Sequence, residues 1–245
     1  MRFAGRAATV ILISILCAMP VAAQSNAELQ KELEAIRKEL QEIKRLLQSR
    51  PAPAAAELPR QPIDISLDPV KGEAAAKVAL IEYSDYQCPF CSRFGRDAYP
   101  QLDEAYIRTG KVKYVFRDLP LDFHKQAFKA AEAAHCAGEQ GKFWEMHDQL
   151  FANQKQLGVE DLQRHAATLG LDAPRFQQCL DSGRFGDAIR KDIREANSAG
   201  ISGTPTFLIG TVNADGTVQV KRKLVGAKPY SEFRTAIDEL LSVER

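Results

Sequence analysis

The stretch VALIEYSDYQCPFC, residues 78–91, decides the fold. It is typical of an apolar strand, a short turn and the first turn of a helix that opens at Cys88. Two residues between Cys88 and Cys91 bring the sulfurs close enough to bond, with Cys88 expected to be the more exposed. Unpaired N–H groups and the helix dipole favour negative charge there, so we expect the pKa of Cys88 to lie below the ordinary ~8.5. Pro89 suits the first helical position, where its missing N–H would be unpaired in any case.

This cysteine pair predicts redox chemistry. A substrate thiolate would attack the sulfur of Cys88, and Cys91 would resolve the mixed disulfide that forms. The alternatives are a structural disulfide, half of a zinc site and a chance spacing; a zinc site needs two further ligands. We expect no metal and no separate cofactor, because the Cys88–Cys91 disulfide is itself the redox-active group. The histidines, which we interpret as surface or packing residues, are His124, His135, His147 and His165.

Outward from this stretch, the patterns predict an α/β fold. The expected order is β, α, β, a block of helices, a β-hairpin and α. The hairpin turn is the sequence NADG at 213–216, which favours a tight connection between two strands. The remaining expected elements are strands at 111–117, 206–209 and 217–225, helices within about 124–198, and a last helix that has Ser231 as its N-cap and runs to about Val243.

The composition predicts a globular domain with additional segments. The chain has 245 residues, of which 45% are hydrophobic and 27% charged, and this is enough to bury a substantial core. The net charge of +1 offers no electrostatic basis for binding nucleic acid. Residues 50–62 contain four prolines among alanines, a composition typical of a semi-rigid linker. We expect the globular domain to occupy residues 63–245.

Residues 1–23 are expected to be a secretory signal peptide. Arg2 and Arg6 precede an apolar run that is shorter than the ~20 residues a membrane span needs, and small residues allow cleavage before Gln24. The alternatives are a lipoprotein signal that uses Cys17 and an uncleaved anchor. Export to the periplasm would leave four cysteines in an oxidising compartment, where disulfides persist.

Residues 24–49 carry a heptad repeat typical of a coiled coil. Glu32 and Glu39 fall at position g, and Arg37 and Lys44 at the following e positions, where parallel neighbours form interchain ion pairs. Leucine at a with isoleucine at d favours a trimer or tetramer over a dimer. We expect a homo-oligomer, with a trimer favoured; the alternative is a lone amphipathic helix packed on the domain. The repeat comprises Leu33, Leu40 and Leu47 at a, and Leu29, Ile36 and Ile43 at d.

Three features in order resemble the DsbA family of periplasmic thioredoxin-like oxidoreductases. They are Glu82, the CPFC motif at 88–91 and the sequence SGTPTF at 202–207. The resemblance runs from about residue 63 to the C-terminus. It implies a thioredoxin-like fold with an inserted helical domain, which matches the helix block at about 124–198, here preceded by the N-terminal coiled-coil helix.

The resemblance also implies roles for individual residues. In that family a cis-proline loop faces the redox cysteines, and Pro205 matches the proline, while the preceding residue, here Thr204, tunes cysteine reactivity. Glu82 matches a buried acid that relays a proton, with a solvent-edge glutamate as the alternative. The dipeptide Pro89-Phe90 departs from the Pro-His of the best-known oxidase and offers no imidazolium to stabilise a thiolate. Some members carry a second disulfide in the inserted helices; Cys136 and Cys179 match it, with two free thiols as the alternative.

The function implied is thiol–disulfide exchange. The expected substrates are unfolded or misoxidised exported proteins, and a membrane redox partner would recycle the enzyme. Multimeric members resemble isomerases, so the heptads favour an isomerase or reductase slightly over a monomeric oxidase, and the choice stays open. The main alternative is a non-catalytic binding module of the cell envelope, tethered by its coiled coil. A third alternative is a glutathione-dependent transferase or isomerase on the same fold. The cysteine pair argues against it, because such enzymes usually carry serine there.

Overall fold

The computed structural model describes three stretches of the chain, and a boundary after residue 54 divides it into two units. The predicted signal peptide at 1–23, including Cys17, lies outside the described residues, as do positions 50–57 and 60 of the predicted linker. In the described stretches, no helix combines the length and apolar character needed to cross a bilayer. The described stretches are residues 26–49, 58–59 and 61–243.

The first unit contains helix α1, Asn26–Ser49, which confirms the predicted N-terminal helix. Its long run of glutamate, lysine, leucine and glutamine consists of strong helix formers. The a and d side chains form an apolar stripe along the helix, each between 48% and 59% exposed. Leu47 belongs to the same repeat, but its side chain lies outside the described residues. The described side chains of the stripe are Leu29, Leu33, Ile36, Leu40 and Ile43.

The second unit is built on a five-stranded mixed sheet in the order β1-β3-β2-β4-β5. Strands β2 and β3 run parallel, and the other neighbours are antiparallel. Both parallel strands are buried along their whole length, as expected where helices cover both faces of a sheet. The strands are β1, Val70–Lys71; β2, Val78–Ser84; β3, Val112–Asp118; β4, Thr206–Val212; and β5, Val218–Val225.

Helices pack on this sheet in two groups. Five of them, α4 to α8, lie between β3 and β4 in the chain and confirm the predicted helical insertion. Of the others, α2 and α3 follow the turn after β2, and α9 is the last described helix. A π-helical turn at Asp103–Ile107 follows α3. The helices are α2, Pro89–Asp97; α3, Tyr99–Leu102; α4, Ala127–Gly138; α5, Phe143–Ala152; α6, Val159–Thr168; α7, Ala173–Ser182; α8, Gly186–Ser198; and α9, Tyr230–Val243.

Three apolar clusters hold the unit together. The insertion has its own core, and Tyr86 and Phe116 from the sheet side are part of it. On one face of the sheet, the rings of Phe94, Phe207 and Phe233 pack with centroids 4.4–5.4 Å apart and join α2 and α9 to β4. This packing fixes α2 against the sheet, so the start of α2 has a defined position at the C-terminal end of β2.

The structure adds elements that the sequence patterns did not predict. Strand β1 has only two residues, too short for an alternating pattern, and exists through the pairing of Val70 with Val115. Ile63 forms a bridge with Val218 and thereby ties the start of the domain to β5. The last helix begins at Tyr230, so the prediction of Ser231 as its N-cap is wrong, because Ser231 is the second residue of the helix.

Candidate redox site

The turn that carries the cysteine pair lies where β2 ends and α2 begins. Cys88 is the N-cap of α2, with extended backbone angles of φ −71° and ψ 120°, and Pro89 stands in the first helical turn as predicted. The Cys88 N–H donates to the carbonyl of Asp85 at 3.0 Å, and the Cys88 carbonyl accepts the first helical bond from Ser92 at 3.2 Å. The sulfur of Cys88 therefore lies beside the N–H groups that open the helix, which is the arrangement expected from the sequence.

The two cysteines are unbonded thiols in this structure, and both are buried. Cys88 is 3% exposed and Cys91 is 2% exposed, so Cys88 is the more exposed of the two, as expected, but only by a small margin. The loop before β4 covers Cys88, and the Cys88 thiol donates to the carbonyl of Thr204 at 3.4 Å. The intervening residue Phe90 is instead half exposed, and Arg93 lies 5.1 Å from the centre of its ring.

The two thiols differ sharply in acidity. A hydrogen bond from the Cys91 thiol is the largest of the effects that lower the pKa of Cys88 to about 6, from an ordinary value of 9.0. Burial opposes it, and smaller lowering effects come from Thr204 and from the backbone N–H groups of Cys91 and Phe90. Burial raises the pKa of Cys91 well above its ordinary value, and the bond to Cys88 raises it further. One sulfur is thus suited to be a thiolate and the other to stay a thiol.

The loop that faces Cys88 contains a cis peptide bond between Thr204 and Pro205. The Pro205 carbonyl accepts from the N–H of Gly226 at 2.8 Å, which anchors the loop to the end of β5. The Thr204 hydroxyl is buried, and the Thr204 side chain is one of the groups that lower the pKa of Cys88. Thr204 therefore contacts the reactive cysteine, and Pro205 follows it in the same loop.

Glu82 lies beneath the pair, on β2, and is 1% exposed. Its carboxylate accepts from the Ser84 hydroxyl at 2.6 Å and from the Tyr114 hydroxyl at 2.5 Å. Burial raises the pKa of Glu82 to about 7, and the two hydroxyl donors oppose that rise. A cavity of about 460 Å³ adjoins Glu82 and Cys91. A carboxyl that titrates near neutral pH beside the less acidic thiol can accept or return a proton there.

Replacing Glu82 with glutamine is expected to stabilise the protein at pH 8 but not at pH 4. In the unfolded chain a glutamate loses its proton near pH 4.3, whereas folded Glu82 keeps its proton until about pH 7. Because the folded pKa is the higher one, rising pH between these values removes about 4 kcal/mol from the free energy of unfolding. Urea unfolding at both pH values measures this, with Glu145→Gln, a change at an exposed glutamate of α5, as the control. A stability gain for Glu82→Gln that is equal at pH 4 and pH 8 would rule out this titration.

A second sulfur pair lies in the insertion. Cys136 of α4 and Cys179 of α7 form a disulfide with an S–S distance of 1.98 Å and a Cα–Cα distance of 5.8 Å. Both residues are buried in the core of the insertion. This is the pairing that the resemblance implied, and the alternative of two free thiols does not hold in the structure.

Several polar residues at the site were missed by the sequence analysis. His124 was interpreted as a surface or packing residue, but its Nδ1 lies 2.8 Å from the buried carboxylate of Asp85, three residues before Cys88. Gln154, which follows α5, donates to the carbonyl of Cys88 at 2.9 Å. The position of Asp85 in the turn was visible in the sequence, but its partners are 36 and 39 residues away and no local pattern indicates them.

The site and fold match known proteins. A family model described as "Thioredoxin" matches residues 66–239. The structure of alpha-DsbA1 from Wolbachia pipientis superimposes with a TM-score of 0.64 and 31% sequence identity, covering 74% of this chain and 94% of that one. DsbA2 from Pseudomonas aeruginosa gives a TM-score of 0.55 and 29% identity, covering 74% of this chain and 96% of that one. These matches confirm the predicted thioredoxin-like fold with its helical insertion.

Similar sequences also occur inside longer proteins. The Na(+)/H(+) antiporter NhaA 3 of Salinispora tropica is 44% identical over 176 residues, which are 71% of this chain and 26% of that protein. The chain thus spans about a quarter of the length of the curated relatives that it matches.

Proposed function

The chain belongs to the thioredoxin family and has the DsbA-like form of its fold, and on this premise we propose that it exchanges thiols and disulfides in exported proteins through Cys88 and Cys91. The observation that carries the proposal is the difference between the two sulfurs. The pKa of Cys88 is lowered to about 6, and that of Cys91 is raised. This difference in pKa suits a nucleophile and its resolving partner, whereas a structural disulfide does not require it.

The steps follow from these acidities. In the oxidised form, a substrate thiolate attacks the sulfur of Cys88, and the electron pair of the broken bond passes to the sulfur of Cys91, which takes a proton from Glu82. A second substrate thiolate then attacks the substrate sulfur of the mixed disulfide and expels Cys88 as a thiolate. The substrate gains a disulfide, and the enzyme gains two electrons. A low pKa makes Cys88 a good leaving group and stabilises the reduced enzyme.

In the reverse direction, Cys91 frees a substrate that is trapped on Cys88. Its thiol gives a proton to the ionised carboxylate of Glu82 as its sulfur attacks the mixed disulfide. The cavity beside both residues supports a route for that proton to solvent. Thr204 and Pro205 face the reactive sulfur and would contact the bound polypeptide beside it.

The substrates we propose are unfolded or misoxidised proteins of the periplasm, and a membrane redox partner would reoxidise or reduce the pair. The direct test mixes oxidised protein with reduced, unfolded ribonuclease and follows both the loss of free thiols and the return of ribonuclease activity. Stoichiometric thiol loss coupled to reduction of the Cys88–Cys91 disulfide supports the proposal. Unchanged thiols in both partners would contradict it.

We also propose that the chain assembles through α1 with further copies of itself, a trimer being favoured. The apolar stripe of α1 is about half exposed along its length and follows a heptad spacing that suits an identical helix. Charge complementarity supports the same occupant, because Glu32 and Glu39 at g face Arg37 and Lys44 at e of a parallel copy. Several redox sites held together in this way favour an isomerase or reductase.

Replacing both Leu33 and Leu40 with aspartate is expected to convert the oligomer to monomers and to lower isomerase activity on scrambled ribonuclease. Charges at two a positions prevent burial of the stripe. Sedimentation measures the mass, and the matched control is Lys31→Asp with Lys38→Asp on the opposite face. Removal of residues 24–62 should act like the leucine variant. Isomerase activity that survives this removal unchanged would contradict the role of the helix.

One observation favours a second function, a non-catalytic binding module tethered by α1. Cys88 is only 3% exposed, although a nucleophile needs access to its substrate. A Cys91→Ala variant distinguishes the two functions, because an exchange enzyme accumulates substrates bound through Cys88 as mixed disulfides. A binding module would hold its partners without a covalent bond, so those partners would separate from it in denaturing gel electrophoresis without reductant.

A further inference from the structure

The turn that carries Cys88 is held by a buried carboxylate. The Asp85 side chain is fully buried. Its Oδ1 accepts from the N–H of Gln87 at 2.7 Å, within the turn. Its Oδ2 accepts from the N–H of Leu121 at 2.8 Å and from Nδ1 of His124 at 2.8 Å. One carboxylate therefore shapes the turn and also ties it to the loop at 119–126, which leads from β3 into the helical insertion.

Further bonds join the same two regions. The backbone N–H of Gln126 donates to the Gln87 side chain at 2.5 Å. From the end of α5, Gln154 donates to the carbonyls of Tyr86 at 2.8 Å and Cys88 at 2.9 Å. Every residue from Asp85 to Cys88 is thus bonded to the insertion or to the loop that enters it.

A fully buried carboxylate is expensive unless donors satisfy it, and Asp85 has three. Cys88 and the N–H groups of Phe90 and Cys91 follow directly in the chain, and those groups act on the Cys88 sulfur. Hydrogen bonds weaken steeply with distance and angle, so a small shift of the turn changes how well the sulfur is held. Anchoring the turn therefore keeps the Cys88 sulfur within hydrogen-bond distance of these N–H groups.

We propose that Asp85 is a positioning residue for Cys88, through which the loop at 119–126 fixes the reactive sulfur against the start of α2. The inference rests on the proposed function for its significance in exchange. Its physical content is independent of any substrate: the insertion holds the redox turn in the geometry that stabilises a thiolate. His124 helps to hold the Asp85 carboxylate in place, because its Nδ1 lies 2.8 Å from Oδ2.

Two roles of Asp85 predict opposite results. If it positions Cys88, its replacement weakens the bonds to the sulfur and raises the pKa of Cys88. If it acts only as a nearby negative charge, its replacement removes repulsion and lowers that pKa. If it only supports the fold, the melting temperature falls and the pKa of Cys88 stays unchanged.

The test compares the full chain with Asp85→Asn and Asp85→Ala by the pH dependence of Cys88 alkylation. Asp85→Asn keeps an oxygen for the turn and is the milder change, which covers the case that Asp85→Ala fails to fold. The control, Asp215→Ala, removes an equivalent bond, the one from the Thr217 N–H at 3.0 Å, in the hairpin far along the chain. We expect Asp85→Asn to slow alkylation at pH 5 about threefold or more, as a rise of half a pKa unit would, and Asp215→Ala to leave it unchanged.

An unchanged or faster alkylation of folded Asp85→Asn would overturn the inference. Alkylation requires no substrate protein, so this result is separate from the fate of the proposed function. If the wild type failed to oxidise ribonuclease while Asp85→Asn still raised the pKa of Cys88, the proposed exchange would fail and the positioning role would stand.

Discussion

Replacing Cys88 with serine is expected to abolish disulfide exchange, leaving only the uncatalysed rate. A hydroxyl at this position cannot form the mixed disulfide, and no other group described at the site can replace a sulfur whose pKa is lowered to about 6. The measurement is the oxidation of reduced ribonuclease, followed by free-thiol counting. The fold should persist, because serine is close in size and Cys88 is the N-cap of α2, a position where serine is favoured.

The matched control is Cys91→Ser. It retains the attacking sulfur but lacks the resolving one. Mixed with scrambled, disulfide-containing ribonuclease, it should attack a substrate disulfide, release one substrate thiolate and stop at a mixed disulfide through Cys88. Gel electrophoresis without reductant detects that adduct. Exchange by Cys88→Ser at more than the background rate, or adducts formed through Cys91 instead, would contradict the assignment of the two roles.

Removing the second disulfide is expected to have the largest effect on stability. Replacing Cys136 and Cys179 with alanine should lower the free energy of unfolding by about 4 kcal/mol, the chain-entropy value for a loop closed over 43 residues. The bond joins α4 to α7 within the core of the insertion, where both side chains are buried, so lost packing adds to the effect.

Urea unfolding with and without reductant measures this change. The reduced wild type should approach the double variant, because both lack the same covalent bond. The controls are the two single variants under oxidising conditions, each of which leaves one buried thiol. Their free energy of unfolding should exceed that of the double variant only by the packing contribution of one sulfur. An unfolding midpoint that is the same in the wild type and the double variant would contradict the expected effect.

The sequence predicted the part of the site that is local in the chain. The apolar run, the turn and Pro89 together place Cys88 at the start of a helix, because each feature acts within a few residues. The direction of the pKa shift of Cys88 was expected for the same reason. The largest cause of that shift was not expected. The helix N-terminus was expected to lower the pKa most, whereas the hydrogen bond from Cys91 contributes most.

Contacts between distant segments could not be predicted from local sequence patterns. Glu82 was expected to be buried through the resemblance, but its bond to Tyr114 depends on the parallel pairing of β2 and β3. The contact between the Asp85 carboxylate and the His124 ring joins residues that lie 39 positions apart in the chain. Polar partners of this kind leave no periodic signal, because periodicity reports which face of an element is buried and not which atoms meet there.

The helix α1 likewise has one feature that local sequence predicts and one that depends on contacts between chains. Its helical form follows from strong helix formers and a regular repeat, and the structure confirms it. The number of copies that share its stripe depends on how leucine and isoleucine pack between chains, so the repeat favours a trimer as a proposal.

The most direct test of the redox account is the alkylation of Cys88 as a function of pH. The reduced full chain is mixed with iodoacetamide across a pH series, and mass spectrometry of the peptide that contains residue 88 gives the rate at each pH. A thiolate stabilised by Cys91 and by the start of α2 should give a midpoint near pH 6, with Cys91 unreactive over the same range. A midpoint near pH 8.5, the value of an unperturbed cysteine, would contradict the account.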